Sequence, residues 1–161
     1  PGHANHHGCI FDHASGNLFT GDTFGLGYRE FREHAEPLIV ATTTPVAFDP
    51  DAWFTSLDHM MALSPAACCL THFGRIEHPQ RYLEMLRESI RQHVRIALDE
   101  EQRDPDGRAE RLHQAVERLL VDAGTAHSTL PPGHVRSLFE SDIDLNAQGL
   151  DIWLQRRAKR A

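Results

Sequence analysis

The sequence predicts an α/β fold that ends in a helical extension. Apolar and polar residues alternate around a turn in residues 7–21, a short apolar run follows a helical pattern at 67–71, and apolar positions beyond residue 78 recur every three or four residues. Period-two alternation is typical of strands, and spacings of three and four are typical of amphipathic helices. We therefore divide the 161 residues into an α/β part, 1–77, and an α-helical extension, 78–161.

The α/β part begins with a predicted β-hairpin in "HGCIFDHASGNLFTG" at 7–21, because Ser-Gly-Asn at its centre favours a turn. Residues 22–50 contain glycines, prolines and three consecutive threonines without a sustained period, which predicts a long loop with a short extended piece at 38–41. An apolar stripe over 51–63 then predicts a helix, with Pro50 as a start signal. The run "ACCLT" that follows predicts a buried strand.

The extension is predicted to be helical to its end. A long helix beyond His78 ends at the turn sequence "RDPDG" at 103–107, and a second helix occupies about 108–123. The sequence "TLPPG" at 129–133 breaks the chain again. One or two closing helices account for the remaining apolar residues.

The composition restricts the function classes. A net charge of −7 and a pI near 5.9 offer no basic surface for nucleic acid or an anionic membrane. No apolar run approaches the roughly 18 residues that span a bilayer, and no signal peptide is recognisable. Three cysteines, two of them adjacent on a predicted strand, favour reduced thiols. We expect a cytoplasmic protein.

Histidine is the unusual residue, since seven of the 12 histidines lie within the first 72 positions. His3 precedes the hairpin, while Asp22 and His72 each follow a predicted strand directly. In open α/β sheets, ligand-binding side chains gather at the carboxyl ends of strands. Two imidazoles and a carboxylate suit zinc, or iron and manganese at similar sites. These three residues are the candidate metal ligands.

Each candidate also has a simpler interpretation. His3 could belong to a disordered, solvated terminus, or bind Cu(II) with Pro1 and Gly2 as a local peptide property. Asp22 could be an ordinary turn residue, and His72 a histidine bonded to backbone. The ordered trio, each residue in its strand context, favours the metal site over these readings.

Three segments, "PGHANHH" at 1–7, "LFTGDTFG" at 18–25 and "THFG" at 71–74, resemble successive motifs of the metallo-β-lactamase-fold hydrolases, including the glyoxalase II-like thioesterases. The resemblance implies that His3 binds a first metal ion, that Asp22 bridges two ions and that His72 binds the second. His7 matches a position that is often histidine in such proteins without being a ligand. The implied fold is a four-layer αββα sandwich with its metals at one edge.

The superfamily's HxHxDH motif, which supplies the remaining ligands, is not in this sequence. The chain is therefore expected to represent only the C-terminal half of that fold, followed by the helical extension. We expect it to be inactive as an isolated fragment.

The resemblance also implies a reaction. Two divalent ions, expected to be Zn²⁺ with iron as the alternative, lie about 3.5–4 Å apart in such sites and lower the pKa of a shared water towards 7, so that hydroxide attacks the substrate. The expected substrate is a small-molecule thioester, lactone or other ester, and Asp22 is the catalytic residue that orients the hydroxide. Candidates for the substrate pocket are His7, Phe24 and Tyr28, with loop packing as the alternative for the last two.

Two other functions stay open. The same fold can hold iron and carry out redox or dioxygenase chemistry. The chain could instead be a catalytically inactive half-domain that acts as a binding or dimerisation module, with homo-oligomers formed through the helical extension. The other histidines are expected at the surface or at helix caps; they are His6, His13, His34, His59, His78, His93, His113, His127 and His134.

Overall fold

A computed structural model describes residues 1–31, 36–45, 47–72 and 74–160. Within these ranges the chain forms five α-helices and one four-stranded mixed sheet, which confirms the α/β prediction. Two residues named above lie outside the described residues: His34, and Phe73 of the "THFG" motif.

The sheet contains four short strands in sequential order. The outer pairs are antiparallel and the central pair is parallel. The hairpin and the "ACCLT" strand are both confirmed, whereas the fourth strand was not predicted because it holds one apolar residue between two charged ones. The strands are β1 (Ile10–Asp12), β2 (Asn17–Gly21), β3 (Ala67–Leu70) and β4 (Arg75–Glu77).

The predicted helices are all present. The first begins where expected, because the Asp49 carboxylate accepts a hydrogen bond from the Ala52 N–H at 3.1 Å and Pro50 occupies the first turn. None of the helices in the described part of the chain is both long and apolar enough to cross a membrane. The helices are α1 (Pro50–Ala62), α2 (Leu83–Glu101), α3 (Arg108–Ala126), α4 (Pro132–Leu138) and α5 (Glu140–Ala158).

One hydrophobic core includes side chains from both parts of the chain. Phe24 and Trp53 from the α/β part are fully buried in the same cluster as Val116 and Leu150 from the extension. The loop between β2 and α1 contributes Ile39, which is also fully buried. The extension therefore packs directly against the loop that follows the predicted metal-bearing turn.

His93 corrects one prediction. It was expected at the surface or at a helix cap, but its exposed fraction is 0%. It lies on the buried stripe of α2 with Leu86 and Ile90, spaced as one helical face requires. Its position in that stripe was a sequence signal for burial.

Candidate metal site

The structure brings the three predicted ligands together at one end of the sheet. Asp22 follows β2 in a single 3-10 turn, and His72 follows β3. Because β2 and β3 are parallel, their carboxyl ends meet at the same edge. The N-terminal segment places His3 at this edge from a third direction, so that its Nε2 lies 3.6 Å from Oδ2 of Asp22. Nε2 of His72 lies 3.7 Å from Oδ1 of the same carboxylate.

These two distances match the spacing of metal ligands. Zinc lies about 2.0–2.2 Å from nitrogen and oxygen ligands, and two such ligands at a tetrahedral angle are about 3.4 Å apart. A direct hydrogen bond between nitrogen and oxygen would be shorter, about 2.7–3.2 Å. Asp22 is thus separated from each histidine by the distance that an ion shared by that pair requires.

His3 is held in the tautomer that metal binding needs. Its Nδ1 lies 2.9 Å from the carbonyl oxygen of Thr42, and a carbonyl only accepts, so Nδ1 carries the proton. The lone pair is then on Nε2, the atom that faces Asp22. Histidines that bind metals generally donate their other ring N–H to a carbonyl or carboxylate in this way.

The surroundings of His3 keep its ring neutral and fixed. The side chain is buried, and this burial lowers the pKa of His3 despite the opposing effects of the Thr42 carbonyl and Asp22. The Trp53 ring meets the imidazole edge to face at 5.9 Å. The Thr44 hydroxyl lies 2.8 Å from Nδ1 and 3.1 Å from Nε2. Because Nδ1 carries the proton, the Thr44 hydroxyl can donate only to Nε2, the same nitrogen that faces Asp22.

Asp22 carries an unsatisfied acceptor. Its Oδ1 is buried and has no hydrogen-bond partner among the described residues. A buried carboxylate oxygen without a donor is costly unless a cation binds it. The histidine that faces this oxygen, His72, has a side chain 54% exposed, so the buried oxygen is separated from solvent only on that side by a partly exposed ring. The residues therefore fit a divalent ion for two reasons: imidazole nitrogens and a carboxylate are donors that such ions accept, and Oδ1 of Asp22 lacks any other partner among the described residues.

His7 contacts the backbone of Asp22, not its carboxylate. Its Nε2 accepts a hydrogen bond from the backbone N–H of Asp22 at 3.1 Å. One ligand atom each of His3, His7 and Asp22 lies within 4.8 Å of the other two, which is close enough to share an ion. In the neutral ring, however, an accepting Nε2 leaves the proton on Nδ1, and no lone pair remains for a metal. We therefore assign His7 to holding the turn.

Gly21 makes that contact possible. Its φ is +54° and its ψ is −142°, a region that is essentially restricted to glycine. A Cβ at this position would overlap Nε2 of His7. The absence of a side chain thus lets the imidazole approach the backbone of the turn that carries Asp22.

The two aromatic candidates for a substrate pocket occupy different positions. Phe24 is fully buried in the hydrophobic core. Tyr28 is half-buried, and its hydroxyl donates a hydrogen bond to the Asp142 carboxylate of α5. Burial raises the pKa of Tyr28, and it also raises the pKa of Asp142 although Tyr28 and His72 act in the opposite direction. The extension thus places a carboxylate near the site.

The sequence offered the "TTTP" loop at 42–45 only as a candidate lining of a substrate pocket or as ordinary loop packing, and it did not predict that Thr42 and Thr44 contact the His3 ring. The run of three threonines was visible, but the Thr42 contact is made through a backbone carbonyl, which any residue type can supply. Only the local extended pattern around 38–41 hinted that this segment is ordered.

Comparisons of the chain with protein-family models, with curated proteins and with solved structures found no match. The function is therefore inferred from the donor atoms and from the motifs that place them. The convergence of three chain segments on the Asp22 carboxylate is the main geometric observation.

Proposed function

We propose that the protein is a metal-dependent hydrolase in which His3, Asp22 and His72 hold divalent ions, with zinc as the expected metal. The main observation behind this proposal is that Asp22 lies between two histidines, each of which faces a different carboxylate oxygen. A carboxylate with one oxygen directed to each side is suited to bridge two ions. The buried, unpartnered Oδ1 supports the same assignment.

When bound, a divalent ion supplies a Lewis acid for a carbonyl oxygen and a lower pKa for water. The chain's own residues prepare the place for it. His3 presents a neutral Nε2 because Thr42 holds the proton on Nδ1. His7 holds the Asp22 backbone so that the carboxylate keeps its orientation. The exposed side chain of His72 leaves an approach for a small substrate.

The substrate class rests on the resemblance to metallo-β-lactamase-fold hydrolases. It makes small thioesters, lactones and other esters the expected substrates. The proposed complete fold is an αββα sandwich, in which a second layer covers the outer face of the sheet. The cross-strand partners Ile10 and Phe19 support this proposal, since these residues are 70% and 48% exposed. Such an apolar pair on a sheet face is typical of a surface that another layer covers.

The remaining proposals concern partners and setting. A net charge of −7 disfavours nucleic-acid and anionic-membrane partners. Cys9, Cys68 and Cys69 are free thiols, which supports a reducing compartment such as the cytoplasm.

The test begins with metal content. The purified protein is stripped with chelator, reloaded with zinc or iron, and analysed by elemental mass spectrometry. Hydrolysis of a thioester and a lactone is then followed with each metal. We expect zinc to bind and Asp22→Asn to lose it, because the amide is neutral and offers a poorer ligand. His134→Ala is the matched control, since His134 is exposed on α4.

The outcomes separate the alternatives. Zinc binding with ester hydrolysis supports the proposal. Iron retention with visible colour and oxygen consumption would favour a redox enzyme instead. Zinc binding without hydrolysis would indicate an inactive half-domain. Equal metal retention by the wild type and Asp22→Asn would overturn the metal site itself.

A further inference from the structure

A fully buried polar network connects the helical extension to the segment that orients His3. Its side chains are Asn146 of α5, His93 of α2 and Thr43 of the loop, each with an exposed fraction of 0%. Buried polar side chains are costly unless they are hydrogen-bonded, so a complete network at this depth indicates a specific role.

Every donor and acceptor of the Asn146 side-chain amide takes part in a hydrogen bond. Its Oδ1 accepts a hydrogen bond from the Thr43 N–H at 2.7 Å, and its Nδ2 donates to the Ala41 carbonyl at 3.2 Å. The second proton of Nδ2 faces Nε2 of His93 at 3.2 Å. His93 accepts it because its own proton is on Nδ1, which lies 2.8 Å from the Ser89 carbonyl.

Two further hydrogen bonds complete the attachment of the loop. The Ala41 N–H donates to Oγ of Ser89 at 2.9 Å, and the Thr43 hydroxyl donates to the Asn146 carbonyl at 3.0 Å. Gly149, one turn further along α5, packs against the same segment. A Cβ on Gly149 would overlap the Thr43 carbonyl oxygen.

The arrangement determines where the Thr42 carbonyl points. In an extended segment, the N–H and C=O groups of one residue point to one side, and those of the next residue point to the other. The backbone groups of Ala41 and Thr43 face α2 and α5, where they are hydrogen-bonded. The Thr42 carbonyl is consequently directed the opposite way, at Nδ1 of His3.

We propose that Asn146 is a positioning residue for the metal site: by holding Ala41 and Thr43, it aims the Thr42 carbonyl at His3 and keeps Nε2 of His3 as the metal-binding nitrogen. This inference rests on the proposed function for the existence of the metal site. The tautomer of His3 is a property of the metal-free chain.

The first experiment measures that tautomer. Long-range ¹H–¹⁵N spectra of the metal-free protein report which ring nitrogen of His3 carries the proton. The wild type is expected to show the proton on Nδ1. Asn146→Ala is expected to show a mixture of tautomers, because the Thr42 carbonyl is no longer directed at the ring.

The second experiment measures zinc dissociation constants by competition with a chelator. Asn146→Ala is expected to weaken zinc binding about tenfold, the lower range for residues that support a metal ligand. Val116→Ala is the control, because Val116 is fully buried on α3, so that its truncation lowers stability, and it is not part of the hydrogen-bonded network that holds Ala41 and Thr43. An added osmolyte should restore the stability of Asn146→Ala but not its zinc affinity.

Gly149→Ala provides an independent variant and serves alone should Asn146→Ala fail to fold. Its Cβ would overlap the Thr43 carbonyl, a backbone group that must shift, so zinc affinity and melting temperature are both expected to fall, and the His3 tautomer is measured at a temperature where the variant is folded. The proposal is overturned when either variant keeps the wild-type His3 tautomer and zinc affinity. A wild type that binds no zinc refutes the proposed function, while the tautomer measurement still decides the role of Asn146.

Discussion

Two buried histidines illustrate the difference between the metal-site region and the helical region. His93 in the helices uses both ring nitrogens, one towards the Ser89 carbonyl and one towards Asn146. His3 in the site also donates from Nδ1, but its Nε2 faces the Asp22 carboxylate at 3.6 Å, beyond hydrogen-bond distance. The helical network is saturated, whereas in the site Oδ1 of Asp22 has no hydrogen-bond partner among the described residues. We propose that this contrast separates polar groups that hold the fold together from a carboxylate that binds a metal ion.

The largest expected effect concerns the Asp22 carboxylate. Asp22→Asn is expected to weaken zinc binding more than about 100-fold, whereas His7→Ala, which removes only the support of the turn, weakens it about tenfold. Zinc affinity measured by chelator competition checks this order. Equal losses in the two variants, at matched folding, would contradict the roles assigned to them.

A second test measures how far the site depends on the close contact between the His7 ring and the backbone at Gly21. Gly21→Ala forces a side chain into a glycine-only conformation and against the His7 ring. We expect the free energy of unfolding to fall by about 3–4 kcal/mol, with loss of zinc binding. Urea unfolding of the metal-free protein measures the first quantity. Gly133→Ala is the control, because a Cβ there meets nothing.

The saturated network predicts a pH dependence. Burial lowers the pKa of His93 to about 4, while the unfolded value is 6.5. Between these values the unfolded chain binds more protons, so stability is complete above pH 6.5 and is lost as the pH falls towards 4. The loss attributable to His93 is about 2 kcal/mol at pH 5.

Urea unfolding at pH 7 and pH 5 measures this loss. His93→Gln keeps a polar side chain that does not titrate, so its stability should fall less over the same interval. An identical pH dependence in the wild type and His93→Gln would show that other groups control acid sensitivity.

The smallest expected effect concerns the exposed apolar residues of the two regions. Ile10 and Phe19 are adjacent on the sheet face, whereas Leu98 and Leu145 are exposed on separate helices. Replacing either pair by polar residues should change stability by no more than about 0.5 kcal/mol. Sedimentation should show less self-association for the Ile10→Thr and Phe19→Thr double variant. A larger change from the helix pair would locate self-association in the extension.

Local patterns were enough to predict most elements. The hairpin, α1, β3 and the helices of the extension follow from alternation, helical spacing and turn residues, because these depend on neighbours within a few positions. The strand β4 escaped prediction, since three residues with one apolar side chain form no pattern. Its place in the sheet depends on pairing with β3.

The sequence by itself determined the α/β class, the order of its elements apart from β4, and the identity of His3, Asp22 and His72 as candidate ligands. Only the tertiary structure decided that His7 supports the turn, that Thr42 sets the tautomer of His3, and that Asn146 reaches the loop from more than 100 residues away. The reason is physical: helices and turns form from contacts near in sequence, whereas a hydrogen-bonded site is assembled from segments that meet only when the core packs.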